Sequence, residues 1–156
     1  MRILVVYYSR TGNTRKVGDE LAKILQCDVE EVVDTANRAG PMGFALSVRE
    51  GRGRTLAKIQ PTKTDPANYD MVVIGTPNWD ANMSSPIRTY LTENKAKFKN
   101  VAFFITQGPR GGEERAFKEM EEVSGKKPKA TLLIKTILRV GDVDDKIKKY
   151  VDEIKA

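Results

Sequence analysis

The sequence predicts a three-layer α/β/α sandwich built on a five-stranded parallel sheet. Two observations carry that reading. Short apolar runs alternate with amphipathic helical patterns along the chain, as in successive β-α-β units. Three of the runs are almost continuously apolar rather than alternating, which is expected of strands covered by helices on both faces. With 156 residues, the chain is long enough for one domain, 1–156, whose core is large enough to fold alone.

The elements follow in order. Residues 3–8 (ILVVYY) read as the first strand. A helix is expected from about Asn13 to Gln26, because Val17, Leu21, Ile24 and Leu25 recur on one helical face. The run 28–33 (DVEEVV) is a weaker strand whose polarity suits a sheet edge. Segment 37–56 (NRAGPMGFALSVREGRGRTL) supports two readings: Phe44 and Val48 could anchor a short helix, whereas the glycines weaken one. It is also a candidate homodimer contact or partner-docking surface. Residues 71–75 (MVVIG) read as a strand, and Ser84, Ser85 and Pro86 are good helix-start residues ahead of Ile87, Tyr90 and Leu91. Strands at 101–105 (VAFFI) and 131–138 (TLLIKTIL) flank a helix marked by Phe117, Met120 and Val123. Ile147, Tyr150, Val151 and Ile154 mark the last helix.

Composition narrows the function classes. Hydrophobic residues make up 40% and charged residues 31%, an ordinary balance for a folded domain in water, and no apolar run approaches the roughly 18 residues of a membrane span. A strand pattern begins right after Arg2, so no secretory leader is expected, and the single cysteine, Cys27, has no internal partner. The absence of histidine argues against a zinc site, and the cytoplasm is the expected compartment. The net charge of +6 reads either as solvated faces or as attraction for an anionic ligand or an acidic partner. No nucleic-acid-binding motif accompanies it.

In a parallel sheet all strand-to-helix loops emerge at one edge, and three of these loops carry unusual chemistry. After the first strand comes Ser9-Arg10-Thr11-Gly12-Asn13-Thr14. It leads into a helix, so free backbone N–H groups and the helix dipole favour a phosphate there, with hydroxyl and amide side chains as added donors. Ser, Thr and Asn also serve routinely as helix caps, and that reading stands beside the first. The loop matches neither the G-x-x-x-x-G-K-[ST] nor the G-x-G-x-x-G pattern. After the third strand, Thr76-Pro77-Asn78-Trp79 carries the only tryptophan, either a half-buried core aromatic or a platform for a planar ring. After the fourth, Thr106-Gln107-Gly108-Pro109-Arg110-Gly111-Gly112 can bring its backbone close to the same ring, or can be merely a flexible turn.

These residues resemble the flavodoxin family. "VVYYSRTGNT" is similar to the family's strand-plus-phosphate-loop motif, and "YDMVVIGTPNW" and "VAFFITQGPRG" to its second and third flavin-contacting segments. "GTPNWDANMSSPIRTYL" also resembles the quinone-reductase branch of flavodoxin-like proteins. The resemblance covers nearly the whole chain in its short-chain form. It implies a sheet of order 2-1-3-4-5 and FMN as cofactor. It assigns the FMN phosphate to Ser9, Arg10 (through its backbone), Thr11, Gly12, Asn13 and Thr14. It assigns the ring to Thr76, Pro77, Asn78 and Trp79, with Thr106, Gln107 and Gly108 on the pyrimidine side.

The sequence departs from the family at three points. "TQGPRGG" has no second stacking aromatic, which leaves one ring face open. Asp80 stands where many members have glycine, at a peptide that turns toward the reduced ring's N5, so a steric cost of positive φ is expected on reduction. The chain is basic where typical flavodoxins are acidic. Two functions follow from the resemblance: an electron carrier working with a redox partner protein, which is favoured, or an NAD(P)H-dependent quinone or FMN oxidoreductase. In the second, Arg110 or Arg10 would attract the nicotinamide cofactor's phosphates, and Tyr8 or water would supply a proton. A regulatory phospho-receiver of the same fold needs carboxylates at the end of the first strand, where Tyr7, Tyr8 and Ser9 stand.

Overall fold

The computed structural model describes residues 1–136 and 140–156. Its strands are β1 (Ile3–Tyr7), β2 (Asp28–Glu31), β3 (Met71–Pro77), β4 (Val101–Gln107) and β5 (Thr131–Lys135). They form one parallel sheet in the order β2-β1-β3-β4-β5, as the family resemblance implied. The helices are α1 (Asn13–Leu25), α2 (Gly40–Arg52), α3 (Ser85–Asn94), α4 (Glu113–Ser124) and α5 (Val140–Lys155).

Side-chain alternation explains why ILVVYY reads as an unbroken apolar run. Ile3, Val5 and Tyr7 pack with Met71, Val73 and Phe104 against α1 and α5. Leu4, Val6 and Tyr8 pack with Val72, Ile74, Phe103 and Ile105 against α3 and α4. Both faces of the central strands exclude water, so every position must be apolar. β2 is an edge strand and can be polar; its one buried residue, Glu30, accepts from the backbone N–H groups of Lys63 (2.5 Å) and Thr64 (2.8 Å).

Several boundaries differ from expectation. α1 stops at Leu25, and Gln26 caps it in the left-handed conformation. β3 and β4 run two residues further than their apolar runs, to Pro77 and Gln107. Polar residues are tolerated there because the strands continue to pair beyond the hydrophobic layer. Positions 137 and 138 of the expected strand 131–138 lie outside the described residues.

Segment 37–56, which supported two readings, takes the helical one. It contains a full helix, α2, despite Gly43 and Gly51. Propensity is overridden by packing: a Cβ on Gly51 would stand 2.7 Å from the Trp79 carbonyl oxygen, so the helix approaches that loop as closely as only glycine permits.

A second close approach lies in the sheet. A Cβ on Gly75 would fall 1.9 Å from Phe104 Cζ, inside two fully buried elements that cannot yield. Gly75→Ala is expected to lower unfolding stability by about 1–3 kcal/mol through overpacking. Urea unfolding of the cofactor-free protein measures it, and an unchanged midpoint would contradict the packing described.

Candidate functional site

The first loop is built around its own backbone. The Gly12 N–H donates to Ser9 Oγ at 3.0 Å, which closes the turn. Gly12 has φ 101°, a conformation that an L side chain rarely adopts. No side chain caps α1, so the backbone N–H groups of Asn13, Thr14 and Arg15 lack both an intrahelical acceptor and a capping one. The Thr14 hydroxyl is buried and lies 2.7 Å from that of Thr106 at the end of β4. Two hydroxyls sharing one hydrogen bond leave one hydrogen uncommitted, available to an acceptor in the cleft.

The second loop is a tight hairpin. The Trp79 N–H donates to Asn82 O (2.8 Å), and the Asn82 N–H donates to Trp79 O (3.2 Å). Asp80 and Ala81 form its apex with φ 53° and 65°. That is the geometry of a type I′ turn, which demands positive φ at both central residues. The Asn82 amide braces it by donating to Asp80 O at 2.6 Å. Asp80 is thus already left-handed in the folded chain. The steric cost expected on reduction belongs instead to the resting fold.

Trp79 is only 5% exposed, yet it lines the cleft. The edge of Tyr8 meets it at 5.7 Å and 90°, and the Arg38 guanidinium sits 4.7 Å from its ring centre. Arg38 is itself buried, paired with Asp34 and Glu50. Tyr8 does not line the cleft, and burial pushes its hydroxyl up to about 12. The structure therefore gives Tyr8 a packing role, in contrast to the proton-donor role considered above.

The third loop is tied to the second. The Asn78 backbone N–H donates to Thr106 O (2.9 Å), and its side-chain amide donates to Gln107 Oε1 (2.6 Å). Gln107 in turn donates to Glu113 Oε2 at 3.1 Å. Behind the hairpin, Glu119 is buried and accepts from Arg88 (2.9 Å) and the Met83 N–H (3.3 Å), with Arg54 at 3.2 Å. This charge cluster pins the loop to α3 and α4.

Together these loops enclose a cleft of about 560 Å³, within the range that takes cofactor-sized ligands. Arg10, Thr11, Asn13, Thr14, Pro77, Asn78, Trp79, Thr106, Gln107 and Gly108 all line it. Ser9, Gly12 and Thr76 do not. Ser9 and Gly12 form the turn behind it. Thr76 is fully buried, with its hydroxyl 2.9 Å from Pro77 O and from Ser84 Oγ, and it accepts from the Ser84 N–H. It anchors the start of α3 rather than facing a ring.

α2 supplies a wall that the three loops alone did not predict: Phe44, Ser47, Val48 and Arg52. Thr136, just past β5, completes the lining together with residues of the hairpin apex and third loop. Arg10 reaches across to α2, donating to Arg38 O (3.0 Å) and Gly40 O (3.1 Å), with its guanidinium 5.5 Å from the Phe44 ring centre. Arg52 pairs with Asp80 and, helped by Arg110 and Arg115, holds that carboxyl below the usual range.

The family profile described as Flavodoxin matches residues 2–154. The chain belongs to the flavodoxin family. Among solved structures, a flavoprotein from Lactobacillus acidophilus in complex with FMN is 21% identical, with 96% of this chain and 97% of that chain covered and a TM-score of 0.76. A protein from Bacteroides eggerthii is 20% identical over 99% and 98%, with a TM-score of 0.78. A flavodoxin, WrbA-like protein from Agrobacterium tumefaciens is 14% identical over 99% and 95%, with a TM-score of 0.65. At these identities the likeness is one of fold.

Two outcomes test this geometry. Ala81→Gly should stabilise the protein by about 0.5–1 kcal/mol, since relief of left-handed strain exceeds the added entropy of the unfolded glycine. Denaturant unfolding checks the sign. Tyr8 is protonated longer in the folded state than in the unfolded one, so its contribution is complete below pH 10 and is lost as the pH rises to about 12. Alkaline unfolding should therefore have a component, of order 2–3 kcal/mol, that Tyr8→Phe removes.

Proposed function

We propose that the protein holds FMN in this cleft and acts in electron transfer with a redox partner protein. The carrying observation is the chemistry of the lining. Its titratable members are Arg10, Arg52, Asp80 and Arg110. Arginine does not release a proton near neutrality, and Asp80 is kept ionised by Arg52. A cleft whose one carboxylate is committed to Arg52, with no other carboxylate, histidine, lysine or cysteine among its described residues, suits a carrier better than a catalyst of proton-coupled chemistry.

The residues fit the group. The uncapped start of α1 favours a phosphate, and Thr11, Asn13 and the Thr14–Thr106 hydroxyl pair add neutral donors. Trp79 offers the apolar body for a planar ring, and the tied amides of Asn78 and Gln107 offer polar contacts at its edge. α2 closes one side of the cleft. FMN, when bound, supplies the redox chemistry. The chain holds, orients and shields it. The cytoplasm belongs to the same reading, and Cys27, the one cysteine, is free.

A second reading, an NAD(P)H-dependent quinone or FMN oxidoreductase, draws on one observation. Gly108, Pro109 and Arg110 are exposed and carry no aromatic, which leaves room for a nicotinamide and a cation for its phosphates.

FMN should bind one-to-one and quench Trp79 fluorescence. Riboflavin should bind far more weakly, and equal affinity for the two would remove the phosphate role of the first loop. Asn13→Ala and Thr14→Ala should each weaken FMN by about 1–3 kcal/mol. Steady-state NAD(P)H oxidation with a quinone acceptor separates the readings: sustained turnover favours the oxidoreductase, and its absence with FMN bound favours the carrier.

A further inference from the structure

The charge around the cleft mouth differs in kind from the charge elsewhere. The chain holds 16 lysines and 11 arginines, yet the cations lining the cleft, Arg10, Arg52 and Arg110, are all arginine. Arg115 lies close enough to act on Asp80 with them. Arg52 has an ion-pair partner, but Arg10, Arg110 and Arg115 form no ion pair among the described residues. Arg10 is held by two main-chain carbonyls, which fix its guanidinium without neutralising it. By contrast, a shallow depression between β5 and α5 is flanked by Lys146 and Lys149, with no arginine.

The same rim carries exposed apolar groups. Phe44 is 58% exposed and Met42 87%. Met42, Ala45, Arg49 and Arg52 recur at helical spacing, all exposed, so one face of α2 runs from an apolar end to a cationic one. Arginine, methionine and aromatic residues are enriched at protein interfaces, whereas lysine is depleted. A planar guanidinium also grips a carboxylate through two parallel hydrogen bonds and sheds water more readily than an ammonium.

We propose that this rim docks an acidic protein: a surface of Asp and Glu carboxylates around an apolar centre, which meets Phe44 and Met42. It rests on the reading that the cofactor occupies the cleft, since the rim encircles that opening. A dinucleotide alone would use the arginines inside the cleft and would leave Met42 and Arg49 without a role. Charge complementarity of this kind chiefly steers encounter and suppresses wrong partners.

A plant-type [2Fe–2S] ferredoxin serves as the acidic probe, titrated calorimetrically against FMN-loaded and cofactor-free protein. It should bind both forms, at least about tenfold more weakly at about 300 mM than at about 20 mM NaCl. Arg49→Glu should weaken it by a further factor of about five to ten, and Met42→Ser severalfold, with FMN affinity unchanged. Lys148→Glu/Lys149→Glu should leave ferredoxin binding as it was. No binding at low salt, salt-insensitive binding, loss on the lysine reversal alone, or tighter binding of a DNA duplex would each overturn the proposal. If FMN fails to bind while ferredoxin still docks on the cofactor-free protein, the reading of the cleft falls and the docking surface stands.

Discussion

The site depends on one buried guanidinium. Arg38 lies away from water between the carboxylates of Asp34 and Glu50, with Trp79 beneath it. A buried arginine is tolerable only when paired, so both carboxylates are needed where they are. Its backbone carbonyl accepts from Arg10. One residue thus joins the first loop, the segment leading into α2 and the hairpin that holds Trp79. Without it the indole would lose the support on one side, and α2 would lose the anchor that makes it a wall of the cleft.

Much of this architecture is legible in the residue order. Strands buried on both faces must be apolar throughout, so ILVVYY, MVVIG and VAFFI announce a sheet covered by helices. Their direction places three loops at one edge, and those loops do meet. The limits of reading are equally physical. Asp34 stands four residues before Arg38 in a stretch that is not helical, and Glu50 reaches it from α2, so no periodicity marks the cluster. α2 was only half legible, because Gly51 reads as a helix breaker until the backbone of Trp79 is seen beside it. Thr76, Ser9 and Gly12 lie just behind the lining, Thr76 on the far side of β3 and the other two in the turn that Ser9 closes. Neighbours in sequence need not share a face: alternate residues of a strand point opposite ways, and a turn folds some of its members behind the others.

Polarity inside the cleft follows from the same economy of groups. The Thr14–Thr106 pair links the end of the first loop to the start of the third through neutral hydroxyls, and Asn78–Gln107 ties the second loop to the third through amides that end on the Glu113 carboxylate. Neither link titrates near neutrality on the cleft side. Geometry at the opening is therefore set by hydrogen bonds whose strength changes little with pH, while the charges stand at the rim, where solvent screens them.

The sheet order has a consequence for how the chain comes to be. β1 is an interior strand between β2 and β3, and β3 begins at Met71, paired with Ile3. During synthesis the first strand must wait for nearly seventy more residues before that flank is covered. Until then its apolar edge is open, and pairing with the short, polar β2 is all that α1 and β1 can achieve locally. Closure of so long a loop is entropically slow and favours late, concerted assembly. The nascent N-terminal third is accordingly the stretch most in need of protection from wrong partners on the ribosome.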